Sequence, residues 1–227
     1  MSVHIIGTSH IAQQSVNEIK RAFAELKPDL VGVELDQERA QVLLSGIKIK
    51  VSLMDISQIG VKGYLFAKIG QIVQQKLGQS IGVSPGTEMK TALELAKKEG
   101  VKIALIDQPI KVTLRNFSKE LTWKEKFRFL GDLIGGLLFP KRTLKKSGLG
   151  NLDLSKVPEG KMITLMIKQL KDRYPSIYKT LVADRNKYMV KQIVKLLRDN
   201  PDKKILIVVG AGHKEGMEEL LLKVDVV

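Results

Sequence analysis

The chain has 227 residues, a formal net charge of +14 (38 Lys+Arg against 24 Asp+Glu), 44% hydrophobic residues and no cysteine. Disulfides, thiolate metal sites and cysteine nucleophiles are therefore excluded, and the apolar share is enough for a sizeable core. The basic balance invites an anionic partner, but with aromatics at 5% and no nucleic-acid-reading motif, nucleic acid is not expected as that partner.

The start, Met1-Ser-Val-His-Ile-Ile-Gly7, is already strand-like, with no charged, apolar and cleavage segments before it. Four continuous apolar runs, Val3–Ile6, Leu30–Val33, Val101–Ile106 and Ile205–Val209, read as strands buried on both faces of a parallel sheet. Between the first two, Ala12, Ser15, Val16, Ile19, Ala22, Phe23 and Leu26 recur at helical spacing and predict a helix over Ile11–Leu26, ended by Lys27-Pro28-Asp29. Strand, helix, strand in about thirty residues is a βαβ unit. A second helix follows Asp36 and stops near Gly46; a third opens at Thr87-Glu88 and closes at Gly100.

Two long pieces interrupt this alternation, at about 52–85 and 111–160. The first carries a helical stripe, Val61, Leu65, Ile69, Ile72 and Leu77, broken by Gly60, Gly63 and Gly70. The second carries a capping box, Thr122-x-x-Glu125, and an amphipathic run that Pro140 ends. Lys141–Gly160 reads as a loop. No window holds the roughly 18 apolar residues of a membrane span. A long helix is predicted over Pro175–Asn200 and a short one over Glu215–Leu222. The expected architecture is one α/β domain over 1–227, with a mostly parallel central sheet flanked by helices and helical insertions that could form a lid.

Chemistry-bearing residues gather where the strands end. His10 follows the first, Glu34 ends the second, Asp107 follows the third and His213 follows the fourth. In open parallel sheets ligands bind outside the carboxyl ends of the strands. Gly7-x-x-His10 and Gly210-x-x-His213 repeat one pattern, in which glycine lets the chain turn without a Cβ in a ligand's way and the next helix offers free N–H donors. Two imidazoles with a carboxylate also make a common metal set, for zinc, manganese or cobalt according to geometry. Asp107, before Gln-Pro, reads as a turn residue. Arg185 lies on the apolar stripe of its helix between Leu181 and Met189. It either pairs with a carboxylate, for which Glu34 is the candidate, or snorkels to the edge. Arg39 is either a surface residue or a second contact to an anionic group. Gly210-Ala-Gly-His-Lys-Glu-Gly216 imitates a dinucleotide loop but lacks the following strand and acidic residue that fold requires.

Taken in series, Gly7-Thr-Ser-His10, Glu34-Leu-Asp-x-x-Arg39, Asp107-Gln-Pro-Ile-x-x-Thr-Leu-Arg115, Asp184-Arg-Asn-x-x-Met189 and Val209-Gly-Ala-Gly-His213 resemble the motif series of the TraB/PrgY (pheromone shutdown) family, related to the GumN and TIKI proteins. The family more often has Arg where this chain has Gln108, and Glu where it has Asp184. The resemblance implies a metal-dependent hydrolase, peptidase-like and acting on a peptide signal or small anionic substrate, with manganese or cobalt favoured over zinc. His10, His213 and Glu34 would be metal ligands and the catalytic set, Glu34 alternatively the base. Arg39, Arg185, Asn186, Gly7, Gly210 and Gly212 would meet the substrate. A second expectation is a non-enzymatic protein that sequesters a peptide through the same cleft. A third is a membrane-surface adaptor working through Lys124–Lys146. The resemblance also implies membrane association, or membrane helices in a longer chain. The expected setting is cytoplasmic or membrane-associated, and homo-oligomers are compatible with it.

Overall fold

The computed structural model describes residues 2–8, 12–46, 86–138 and 159–224, together with the helical positions 57, 60, 61, 64 and 68. His10, almost all of the insertion at 52–85 and the segment at 141–158 lie outside the described residues.

Four strands, β1 (Ser2–Thr8), β2 (Leu30–Val33), β3 (Lys102–Leu105) and β4 (Lys204–Gly210), form one parallel sheet in the order β1-β4-β2-β3. β4 pairs with β1 from Ser2↔Lys204 to Thr8↔Gly210, and with β2 from Leu30↔Ile205 to Val33↔Val208. The last strand in sequence is thus central, which explains its apolar run. Leu206 and Val208 enter one core, while Ile205, Ile207 and Val209 enter the other. Each face of a pleated strand must be buried separately, and helices cover both faces of β2 and β4; the run expected to be buried on both faces as β3 instead lies at the sheet edge, with Ile103 and Leu105 exposed. On one side, α1 (Ala12–Leu26) and α3 (Thr87–Lys98) bring Ile19, Phe23, Met89, Ala92 and Leu93 against the sheet. On the other, Met189, Ile193 and Leu197 of the long C-terminal helix pack with Met217.

Short-range chemistry sets the ends of several helices. Asp36 caps α2 (Gln37–Ser45), accepting from the Arg39 backbone N–H at 3.0 Å, and Gly46 ends it in the left-handed region at φ 69°. The same Asp36 carboxylate accepts from the Ile110 N–H at 3.2 Å, so it also ties down the start of α4 (Ile110–Glu120). Ahead of α5 (Trp123–Leu138) the expected capping box is formed: Thr122 Oγ1 donates to Glu125 at 2.8 Å and accepts from the Glu125 N–H at 3.2 Å. Glu125 is buried and also accepts from the Ser176 N–H at 2.7 Å. One carboxylate therefore caps two helix starts.

The sequence left 161–174 unassigned. It forms α6 (Glu159–Arg173), which takes in the last residues of the expected loop. α6 packs against the helix that follows β4, and Thr164 hydrogen-bonds Glu215 at 3.2 Å. Its end is clamped to α5. Arg173 and Tyr174 both donate to Asp132, and Arg128 donates to the Arg173 carbonyl. Burial, with the bond to Asp132, pushes the Tyr174 phenol up to about 12. The long helix spans α7 (Pro175–Tyr178), a π-helical turn at Lys179–Ala183, and α8 (Asp184–Asp199). Finally, α9 (Ala211–Leu221) starts directly at the end of β4, four residues before its expected start. His213 therefore stands in the first turn of a helix. Among the described residues no helix is long and apolar enough to cross a membrane.

Candidate functional site

The carboxyl ends of β2, β3 and β4 bring Glu34, Asp107 and His213 together, and α8 projects Arg185 and Asn186 among them. The backbone continues the sheet past the strand ends: Glu34 N–H donates to Val208 O at 3.0 Å and Asp107 N–H to Leu35 O at 3.3 Å. Both carboxylates are thereby held at one edge. They are buried, as are Asn186 and His213.

Arg185 is the hub. Its Nη2 donates to Glu34 Oε1 at 2.5 Å and to Asp107 Oδ2 at 2.6 Å, and its Nε donates to Asp107 Oδ1 at 3.1 Å. Nη1 reaches the Leu181 carbonyl at 3.2 Å and His213 Nε2 at 3.0 Å. Arg39 Nη1 adds a contact to Asp107 Oδ2 at 2.8 Å. The sequence left Arg185 between pairing and snorkelling, and left Arg39 between surface and second contact. In the structure both pair, Arg185 with Glu34 and Asp107, Arg39 with Asp107. Asp107 is the correction. Its carboxylate does receive the Gln108 N–H at 2.8 Å, as a turn residue would. It also carries two arginines with its side chain 1% exposed, which makes it an anchor of the site.

His213 has one determinate tautomer. Its Nδ1 lies 2.6 Å from Asn186 Oδ1, an atom that can only accept, so Nδ1 carries the proton. Nε2 then presents its lone pair to Arg185, with Glu34 Oε1 at 3.3 Å. Burial holds the His213 pKa below the ordinary histidine value against the pull of the Glu34 charge, in keeping with an Nε2 that accepts from Arg185. Burial also works against the Arg185 charge, but the hydrogen bonds and charges of Asp107 and Glu34 prevail, and its pKa lies above the usual arginine value. The formal charges of Glu34, Asp107, Arg39 and Arg185 cancel.

Gly210 donates its N–H to Glu34 Oε2 at 2.6 Å. A Cβ there would stand 3.3 Å from that oxygen; one at Gly212 would meet Ile167, and one at Gly7 the Lys214 side chain. These glycines make room for the chain's own side chains. Gly216 figured in the sequence only as the end of the dinucleotide-like run, yet a Cβ on it would lie 2.6 Å from Asn186 Nδ2. Its neighbour is buried and bonded, so the clash would move Asn186 off His213. Gly216→Ala is therefore expected to shift the His213 imidazole resonances in NMR spectra while the remaining spectrum stays native. Superimposable His213 signals would contradict this packing.

Nothing among the described residues groups three or more His, Asp or Glu side chains as a metal set. Of the three ligands expected from sequence, Glu34 and His213 are adjacent and His10 lies outside the described residues. The two suit a cation in chemistry and spacing. Nε2 is unprotonated with its ring locked from behind, as metal-binding histidines are. Two ligands of a tetrahedral ion at about 2.0–2.1 Å stand roughly 3.3 Å apart, as Nε2 and Oε1 do. Arg185 contacts both atoms.

The fold and site define an α/β protein with a buried His–Arg–carboxylate cluster at the carboxyl edge of a parallel sheet. The model of the TraB/PrgY/gumN family matches residues 1–224, and the chain belongs to that family. It is 32% identical to an uncharacterized protein of Methanocaldococcus jannaschii, over 98% of this chain and 54% of that protein. It is 26% identical to TraB domain-containing proteins of Mus musculus and Homo sapiens, over 96% of this chain and 62% of each. The chain thus spans between half and two thirds of the length of these relatives.

Proposed function

We propose that this chain is a hydrolase of peptide-like substrates. The observation that carries the reading is the buried His213, its Nδ1–H donated to Asn186 and its Nε2 accepting from Arg185, with the Glu34 carboxylate 3.3 Å away. A base must be unprotonated, oriented and close to a second polar group before it can take a proton from water. Asn186 supplies the orientation. Glu34, held by the Gly210 N–H, stabilises positive charge on the ring as the proton arrives. Arg185, its N–H groups held by the protein, would place its positive charge beside a substrate oxygen that gains negative charge. Arg39, partly exposed beyond Asp107, would attract a substrate carboxylate to the same edge.

A divalent ion, manganese or cobalt rather than zinc, is the alternative form of this proposal, in which the His213 Nε2 lone pair would serve as a ligand rather than as a base, beside Glu34 and His10. When bound it would supply Lewis acidity toward a water or carbonyl oxygen. A peptide-library screen read by mass spectrometry, with and without manganese and cobalt, tests the whole reading. His213→Ala and Glu34→Gln are each expected to lower cleavage by about a hundredfold or more, and His10→Ala to remove its metal dependence. Cleavage undiminished in both His213→Ala and Glu34→Gln would dispose of the proposal. Tight peptide binding without turnover would favour sequestration instead.

A membrane-surface role has its own supporting observation. Trp123 and Phe127, one helical turn apart on α5, are 71% and 70% exposed and stacked with ring centroids 6.1 Å apart. Lys126 Nζ lies 3.5 Å over the Trp123 ring. Exposed aromatics beside lysines suit an anionic lipid interface. Replacing both with serine should weaken sedimentation with phosphatidylserine vesicles by about tenfold; equal binding by wild type and variant would remove this role from α5.

A further inference from the structure

We infer that Arg185 is the cluster's resident cation, bridging the His213 and Glu34 atoms that would hold a divalent ion, and that an ion binds there only as the guanidinium gives up those two contacts. The inference rests on the metal-dependent part of the proposed function and adds to it a residue that opposes loading.

Acceptor capacity makes the case first. The imidazole Nε2 has one lone pair, and the Arg185 Nη1–H meets it at 3.0 Å. Glu34 Oε1 receives Nη2 at 2.5 Å, while Oε2 is fixed in place by the Gly210 N–H at 2.6 Å. The donor atoms that face one another across 3.3 Å thus share one guanidinium, and an ion between them would sit against its positive charge. The charge balance points the same way. With Arg185 in place the cluster is neutral; without it, Glu34 and Asp107 outweigh Arg39, and a dication is attracted rather than merely tolerated.

Arg185 can let go of this pair without leaving the site. Asp107 holds it through Nε at 3.1 Å and Nη2 at 2.6 Å, and is itself fixed by Arg39 and the Gln108 N–H. A second support is the Leu181 carbonyl, 3.2 Å from Nη1, which stands in the π-helical turn just before Arg185. Such a turn breaks the regular i→i+4 ladder, and π-turns recur at functional sites for that reason. Withdrawal of the guanidinium edge from His213 and Glu34 would leave both anchors in place.

The test is calorimetric titration of Mn²⁺ into metal-stripped wild type, Arg185→Met, Arg185→Lys and the double variant Arg185→Met/His213→Asn, each checked for folding by circular dichroism. Arg185→Met is expected to bind at least about tenfold more tightly than wild type, and the double variant to lose that gain. Lysine keeps a charge but lacks the fork that spans both donors; Arg185→Lys should therefore also bind more tightly than wild type, and it decides the matter if the methionine variant does not fold. Equal affinity in wild type and the folded Arg185 variants, lost with His213, would overturn the competition while leaving the metal site standing. No binding by any of these proteins would remove the metal site and this inference together.

Discussion

Arg185→Met is expected to lower unfolding stability by about 3–5 kcal/mol, because breaking one side of a buried ion pair leaves its partners charged and uncompensated. Two carboxylates lose a partner at once. Glu34 keeps the Gly210 N–H, and Asp107 keeps Arg39 and the Gln108 N–H, so neither is wholly orphaned. The methionine retains most of the aliphatic stem between Leu181 and Met189, which confines the loss to the guanidinium. Arg39→Met is the control. Arg39 meets the same Asp107, but its side chain is 37% exposed, and partly exposed ion pairs contribute about 0–1 kcal/mol. Urea unfolding followed by circular dichroism reads both. If the two variants lose equal stability, the Arg185 cluster is not the structural centre assigned to it.

The second large effect is expected at Asp107. A turn aspartate of the kind the sequence suggested contributes through one local bond, worth about 0.5–1.5 kcal/mol. Asp107→Asn should instead lose about 3–5 kcal/mol. Asparagine is nearly isosteric and can still accept from Gln108, but it removes the negative charge shared by Arg39 and Arg185, which share the Asp107 Oδ2 atom at 2.8 and 2.6 Å. The double variant Asp107→Asn/Arg185→Met should lose clearly less than the sum of the single losses, since both act on one interaction. Strict additivity would mean that the two residues act independently, and a loss near 1 kcal/mol in Asp107→Asn alone would return Asp107 to the turn.

Much of the architecture was legible before the structure. Continuous runs such as Leu30–Val33 and Ile205–Val209 read as strands shielded on both faces, and they lie in the parallel sheet as β2 and β4. The positions of Asp36, Thr122 with Glu125, and Gly46 marked helix ends because capping involves neighbours three or four residues apart. The pairing of Arg185 with Glu34 was among the two readings weighed, since a guanidinium on an apolar stripe needs a partner. The start of α9 was placed too late because Gly210-Ala-Gly reads locally as a loop. The backbone there is nevertheless helical from Ala211.

The sequence by itself determined the four strands, most of the helices, several caps, the family and the set of polar residues at the strand ends. All of these depend on periodicity and on contacts within a few positions. Only the tertiary structure decided the strand order β1-β4-β2-β3, which sets the final strand beside the first. It also decided that Asp107 meets an arginine 78 residues away, that Asn186 fixes the His213 tautomer, and that Gly216 leaves the space for it. These are long-range choices, made where several buried charges and lone pairs must be satisfied at once. No local pattern records which partner, among several of suitable chemistry, the packing of β2, β3, β4 and α8 brings within hydrogen-bonding distance.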